Sequence, residues 1–135
     1  MAEENPAIVA ENGRGRYQQD VVIGPHRLVA DEPASVGGND AGPNPYDLLK
    51  AALGACTSMT LRMYAERKGL PLQRISVAVG HGKVDGQDVF TRDITLTGAL
   101  DGAMRARMLE IANRCPVHKT LSGNARIDSR LADSA

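Results

Sequence analysis

Two thiols, Cys56 and Cys115, are the side chains of this sequence best suited to covalent chemistry. Cys56 lies on a helical stripe with Leu49, Leu53, Met59 and Met63 and reads in two ways. It is a small buried hydrophobe, or a nucleophile held on a rigid element inside an apolar pocket. Burial alone raises a thiol's pKa, so a reactive Cys56 needs a cationic partner brought from elsewhere in the fold. Cys115 has the more favourable local sequence. If Pro116 opens a short helix through Leu121, Cys115 becomes its N-cap, where backbone N–H groups and the helix dipole stabilise a thiolate. Arg114, His118 and Lys119 add positive charge nearby. The competing reading is that Cys115 only ends the apolar stripe through Met104 and Ile111. Two cysteines are too few for a disulfide scaffold, and in a reducing compartment they are free thiols or a transient redox pair.

Other chemistries find less support. Cys56, Cys115 and His118 offer three soft ligands at best, without the paired C-x-x-C spacing of zinc sites, so neither a metal nor another cofactor is expected. His26 and His81 read as solvated or hydrogen-bonded side chains. There is no G-x-S-x-G, and Val36-Gly37-Gly38 leads into no phosphate-binding G-K-[ST]. Sixteen Lys and Arg balance sixteen Asp and Glu, and one Phe, three Tyr and no Trp offer few stacking surfaces, which argues against nucleic acid. The least charged stretch, Ala51–Leu61, is too short to cross a bilayer. The acidic start Met1–Pro6 lacks the basic and apolar regions of a signal peptide, so a cytoplasmic protein without a membrane partner is expected.

The elements that must position these thiols follow from periodicity and punctuation. Ala7–Glu11, Tyr17–Ile23 and His26–Asp31 read as three short antiparallel strands, and the glycine- and proline-rich Pro33–Pro43 as a loop. Asn44 suits a helix N-cap and Pro45 the first helical position, while the Asp47 charge favours the positive helix end. Arg67, Lys68, Gly69 and Pro71 mark the other end, predicting a helix over 45–68 of roughly 36 Å. From Ala51 to Leu61 this helix has no charged residue on any side, so it needs cover nearly all round, and a second subunit is the simplest source. Gly54, with Ala51, Ala55 and Ser58, forms a small-residue stripe that suggests close approach by a neighbouring backbone. Ile75–Val84 and Val89–Leu100 predict a hairpin around Gly86-Gln87, Asp101–Arg114 a helix, and Ala125–Leu131 a closing strand. Three strands, a long helix, two strands, a helix and a strand make one α+β domain over residues 1–135.

The run Gly42-Pro-Asn-Pro-Tyr-Asp-Leu-Leu-Lys-Ala-Ala-Leu-Gly-Ala-Cys56-Thr-Ser-Met-Thr-Leu61, followed by Cys115-Pro-Val-His118, resembles the OsmC/Ohr family (osmotically induced protein C and organic hydroperoxide resistance protein). The resemblance covers about residue 26 to the end, and the Pro-Tyr-Asp element is closer to an OsmC-like branch. It implies an intertwined homodimer with buried central helices and active sites at the interface. It also implies a thiol peroxidase for organic hydroperoxides, in which Cys56 becomes a sulfenic acid and Cys115 condenses with it to a disulfide. A dithiol reductant such as a lipoyl group then reopens that bond. An apolar pocket from Leu49, Leu53 and Met59 would suit an organic peroxide. The family's thiolate is activated by an arginine from the N-terminal strands or the loop after them, paired with a glutamate ten positions before the helical cysteine. Here Arg14, Arg16 and Arg27 are all candidates for the arginine, Arg27 being nearest in sequence to the loop and Arg14 resembling one branch's motif; Tyr46 holds the glutamate position, and Asp47 beside it is the candidate carboxylate. The alternative is a ligand- or thiol-binding protein, or a dithiol redox sensor, without efficient peroxidase turnover.

Overall fold

A computed structural model describes residues 5–132. The chain divides after Ala51 into two compact units. In the first, β1 (Ile8–Glu11), β2 (Gln19–Ile23) and β3 (His26–Ala30) form an antiparallel meander in the order β1-β2-β3. Val21 and Ala30 are its buried apolar positions. The loop after β3 is held by Asp31, which is 2% exposed. Its carboxylate accepts the backbone N–H groups of Glu32 (2.8 Å), Asn39 (3.1 Å) and Ala41 (3.1 Å). The Ala41 N–H is the largest influence on Asp31, and with the other two it holds the carboxyl below its ordinary pKa against the opposing effect of burial.

Helix α1 (Pro45–Lys68) begins in the first unit and continues into the second, with the bounds the sequence predicts. Its start is closed reciprocally. The Asp47 N–H donates to Asn44 Oδ1 (2.8 Å), and the Asn44 N–H donates to Asp47 Oδ2 (3.1 Å). Aspartate therefore completes a capping box usually closed by the longer glutamate.

The second unit adds a hairpin, β4 (Leu72–Val84) and β5 (Gln87–Gly98), then α2 (Gly102–Ala112) and α3 (Pro116–Ser122). The hairpin turn is Asp85-Gly86, one residue earlier than expected, because Val84 pairs with Gln87 and both turn residues have positive φ (50° and 80°). Asp and Gly are the pair that a two-residue turn of this hand favours. The core gathers Leu61, Tyr64, Ala65, Leu72, Met108, Ile111 and Ala112. Fully burying a side chain the size of Leu61 or Met108 contributes about 1.5–3 kcal/mol. Gly54 is where β4 comes close to α1: a Cβ there would lie 3.3 Å from Val79 Cγ2.

Two sequence expectations need revision or extension. The closing strand over 125–131 does not form; that stretch carries no regular structure, and Ile127 and Leu131 are exposed. Its apolar residues have a strand's pattern but pair with no sheet edge among the described residues. The expected all-round cover of α1 is only half supplied by this chain. Leu53, Thr57, Leu61, Tyr64 and Ala65 are buried, whereas Ala52, Ala55, Met59 and Met63 are exposed on the opposite face. Among the described residues, no helix is long and apolar enough to cross a membrane.

Candidate active site

The second unit brings Cys56 and Cys115 together. Cys56 is half-buried, mid-way along α1, while Cys115 is completely buried. Pro116 opens α3 and leaves Cys115 as its N-cap; the Cys115 sulfur accepts the His118 N–H at 3.3 Å. The neighbouring Thr57 is also fully buried, with its hydroxyl 2.7 Å from the Leu53 carbonyl and 3.9 Å from the Cys115 sulfur.

The two thiols are close enough to influence each other's ionisation, and their environments shift them in opposite directions. Burial raises the pKa of Cys56, and the adjacent Cys115 sulfur adds to the rise, outweighing the Val117 N–H and the Thr60 hydroxyl. Burial also opposes ionisation of Cys115. There, however, the Cys56 thiol, the His118 N–H, the Thr57 hydroxyl and the Val117 N–H together prevail, and the pKa is lowered. Of the two sulfurs, Cys115 is the one whose surroundings favour the thiolate.

Around this pair lies a residue that local motifs did not single out. Arg92 on β5 donates through one nitrogen to Thr57 Oγ1 (3.0 Å) and the Ala112 carbonyl (3.0 Å). Through the other it donates to Asn113 Oδ1 (2.8 Å) and His118 Nδ1 (2.8 Å). A guanidinium has no acceptor, so His118 Nδ1 must accept and Nε2 carries the proton of the neutral ring. Burial, then the Arg92 charge, lowers the His118 pKa and keeps the imidazole neutral. The signal available in the sequence was phase: Arg92, Ile94 and Leu96 alternate along β5 in step with Phe90 and are half-buried between exposed neighbours, so Arg92 is a charge at an inward position.

Arg92 and His118 also line a concavity of about 400 Å³ whose apolar wall is Leu53, Phe90 and Leu121. Of the three pocket residues expected from sequence, Leu53 is placed here. Met59 lines a different groove, beside Arg62, Met63 and Ile75, and Leu49 is exposed on the first-unit part of α1. The candidate activating groups also lie in the first unit. Arg14 is paired with Asp20 (3.1 Å), and Asp47 with Lys50 (3.0 Å) besides its capping role. Arg27 is exposed and makes no ion pair among the described residues. No group of three His, Cys, Asp or Glu side chains among the described residues is arranged to hold a metal ion.

Residues 37–130 match the family model described as OsmC-like protein. No curated protein matches the sequence. The structure is similar to that of an OsmC-like protein from Mycoplasma pneumoniae (17% identity, 91% of this chain and 90% of that chain, TM-score 0.76). It is similar also to the organic hydroperoxide resistance protein OsmC from Legionella pneumophila (20% identity, 92% and 93%, TM-score 0.66). A third similar structure is the organic hydroperoxide resistance protein OhrB of Bacillus subtilis (20% identity, 90% and 93%, TM-score 0.62). At these identities the likeness is one of fold, an α+β arrangement of antiparallel strands and helices. Since the matching family model spans more than half of the chain, this protein belongs to the OsmC-like family.

Proposed function

We propose that this protein is a cytoplasmic thiol peroxidase that reduces organic hydroperoxides through Cys56 and Cys115. The observation that carries the reading is a pair of neighbouring thiols in which one sulfur is reachable and the other is enclosed at a helix N-cap. Cys56 is the attacking sulfur because it is the more exposed of the two; the Cys115 thiolate is the base that takes its proton. The Cys56 thiolate then attacks the terminal peroxide oxygen, the O–O bond breaks, and the alkoxide leaves as an alcohol after taking a proton. The resulting Cys56 sulfenic acid condenses with Cys115, releasing water and forming the disulfide. A dithiol of lipoyl type restores both thiols, and no cofactor takes part. Leu53, Phe90 and Leu121 supply an apolar wall for the organic group next to Arg92 and His118. The exposed Met59 and Met63 face of α1 is covered by a second copy, making a homodimer.

Turnover of cumene hydroperoxide with dihydrolipoamide tests the reading. The expected result is consumption that Cys56→Ser abolishes, with Cys115→Ser accumulating sulfenic and then sulfinic acid at Cys56. Consumption no faster than the Cys56→Ser control would overturn it. Oxidation of Cys115 with Cys56 untouched would invert the two roles. A second reading, a thiol redox or ligand-binding protein without turnover, draws on Tyr46 at the family's glutamate position and on Asp47 being engaged by Asn44 and Lys50. Disulfide formation without peroxide turnover would select it.

A further inference from the structure

We infer that Arg92 is a positioning residue that holds Cys115 in register with Cys56 and so sets how readily the two sulfurs join. This rests on the thiol pairing proposed above, but not on peroxide being the oxidant. Its four hydrogen bonds divide in a telling way. Ala112 O and Asn113 Oδ1 lie just before Cys115 in the chain, His118 Nδ1 lies just after it, and Thr57 Oγ1 is the side chain next to Cys56 on α1. One planar group thus grips the connection between α2 and α3 on both sides of Cys115 and fastens it to the helix that carries the other thiol. A guanidinium can hold these bonds at once from two fixed nitrogens, whereas an ammonium directs three donors from one point.

Among the described residues Arg92 makes no hydrogen bond to either sulfur; its donors go to Thr57, Ala112, Asn113 and His118. Its contribution is therefore geometric. The inner ends of α2 and α3 meet in the short segment Asn113-Arg114-Cys115, which is the segment best able to shift when the grip is removed. Disulfide closure demands a narrow range of Cα separation and Cβ direction, so even a small drift of that segment is costly to the joined state.

The test equilibrates the reduced protein with glutathione and glutathione disulfide, in which two protein thiols become one disulfide as one glutathione disulfide becomes two glutathiones. The fraction of Cys56–Cys115 disulfide gives the effective concentration of one thiol for the other. Arg92→Ala and Arg92→Lys should both lower it by about tenfold or more, with the pH dependence of thiol alkylation unchanged. Asn113→Ala, at an exposed position that removes one grip, should lower it less and guards against a poorly folding Arg92 variant. A purely structural role would lower thermal stability and leave the effective concentration intact, which would overturn the inference. Restoration by Arg92→Lys would assign the effect to charge and overturn it equally. If the native protein forms this disulfide but consumes no hydroperoxide, only the peroxidase reading falls; if it forms no such disulfide, both fall.

Discussion

Replacing Thr57 by valine isolates the bond that ties the grip of Arg92 to α1. The substitution keeps the shape of the side chain and its β-branching but removes Oγ1, which is fully buried, 3.0 Å from an Arg92 nitrogen and 2.7 Å from the Leu53 carbonyl. The Leu53 carbonyl is a mid-helix acceptor and keeps its backbone partner, so its loss is small. The Arg92 N–H loses a partner in a part-buried position, and a charged donor left unsatisfied costs about 1–3 kcal/mol. Taking about 2 kcal/mol, and a urea slope of about 2 kcal/mol/M, the unfolding midpoint should fall by about 1 M without a change of slope. Thr57→Ser, which keeps the hydroxyl and deletes one methyl, should lose about 1 kcal/mol from packing alone. The assay is urea unfolding followed by circular dichroism at one protein concentration, because self-association makes the midpoint depend on concentration. Repeating the valine change in an Arg92→Ala background closes a double-mutant cycle. A coupling below about 0.3 kcal/mol, the scatter of independent sites, would show that the Thr57–Arg92 bond does not form in solution, and would remove the link between β5 and the thiol-bearing helix.

Two further outcomes follow from the same structure. The Asp31 carboxyl is held below its ordinary pKa by the Ala41, Glu32 and Asn39 N–H groups, so its contribution is complete above the unfolded-state value and disappears as pH falls through the lowered folded one. Asp31→Asn should therefore reduce stability near neutrality and flatten its dependence on pH below 4; parallel pH profiles for the two proteins would refute this. Met59→Glu with Met63→Glu should convert a dimer of roughly twice 14.4 kDa to monomer in sedimentation velocity, and an unchanged native monomer would show that no copy covers this face.

The parts of the fold that were legible in sequence are those fixed by local stereochemistry. Asn44, Pro45 and Asp47 can open a helix, and Gly69 with Pro71 can close one, with no distant partner required; both ends of α1 are where these residues put them. Pro116 acts in the same local way on α3 and its Cys115 cap. The hairpin turn lies one residue earlier than the expected Gly86-Gln87 because Asp85 tolerates the left-handed region and Gln87 pairs with Val84. The segment 125–131 shows the opposite case: alternation says that a strand could form, but only a free sheet edge makes one, and periodicity carries no record of edges.

The site divides along the same line. That Cys115 would cap a helix was readable from one proline; that its sulfur would lie against Cys56 was accessible only through resemblance, because the two are joined by packing across the whole second unit. Arg92 was missed for a more instructive reason. The resemblance points to an activating arginine on the N-terminal strands, and Arg14 there is engaged by Asp20. Yet an arginine standing in phase with Phe90, Ile94 and Leu96 must either leave the sheet face or satisfy its donors inside it, and that requirement alone marks it as structurally committed. The acceptors it finds flank one thiol and adjoin the other. A charge on the inward face of a strand is thus a sequence signal for a polar junction even when no motif names it, and in this chain the junction coincides with the only two cysteines.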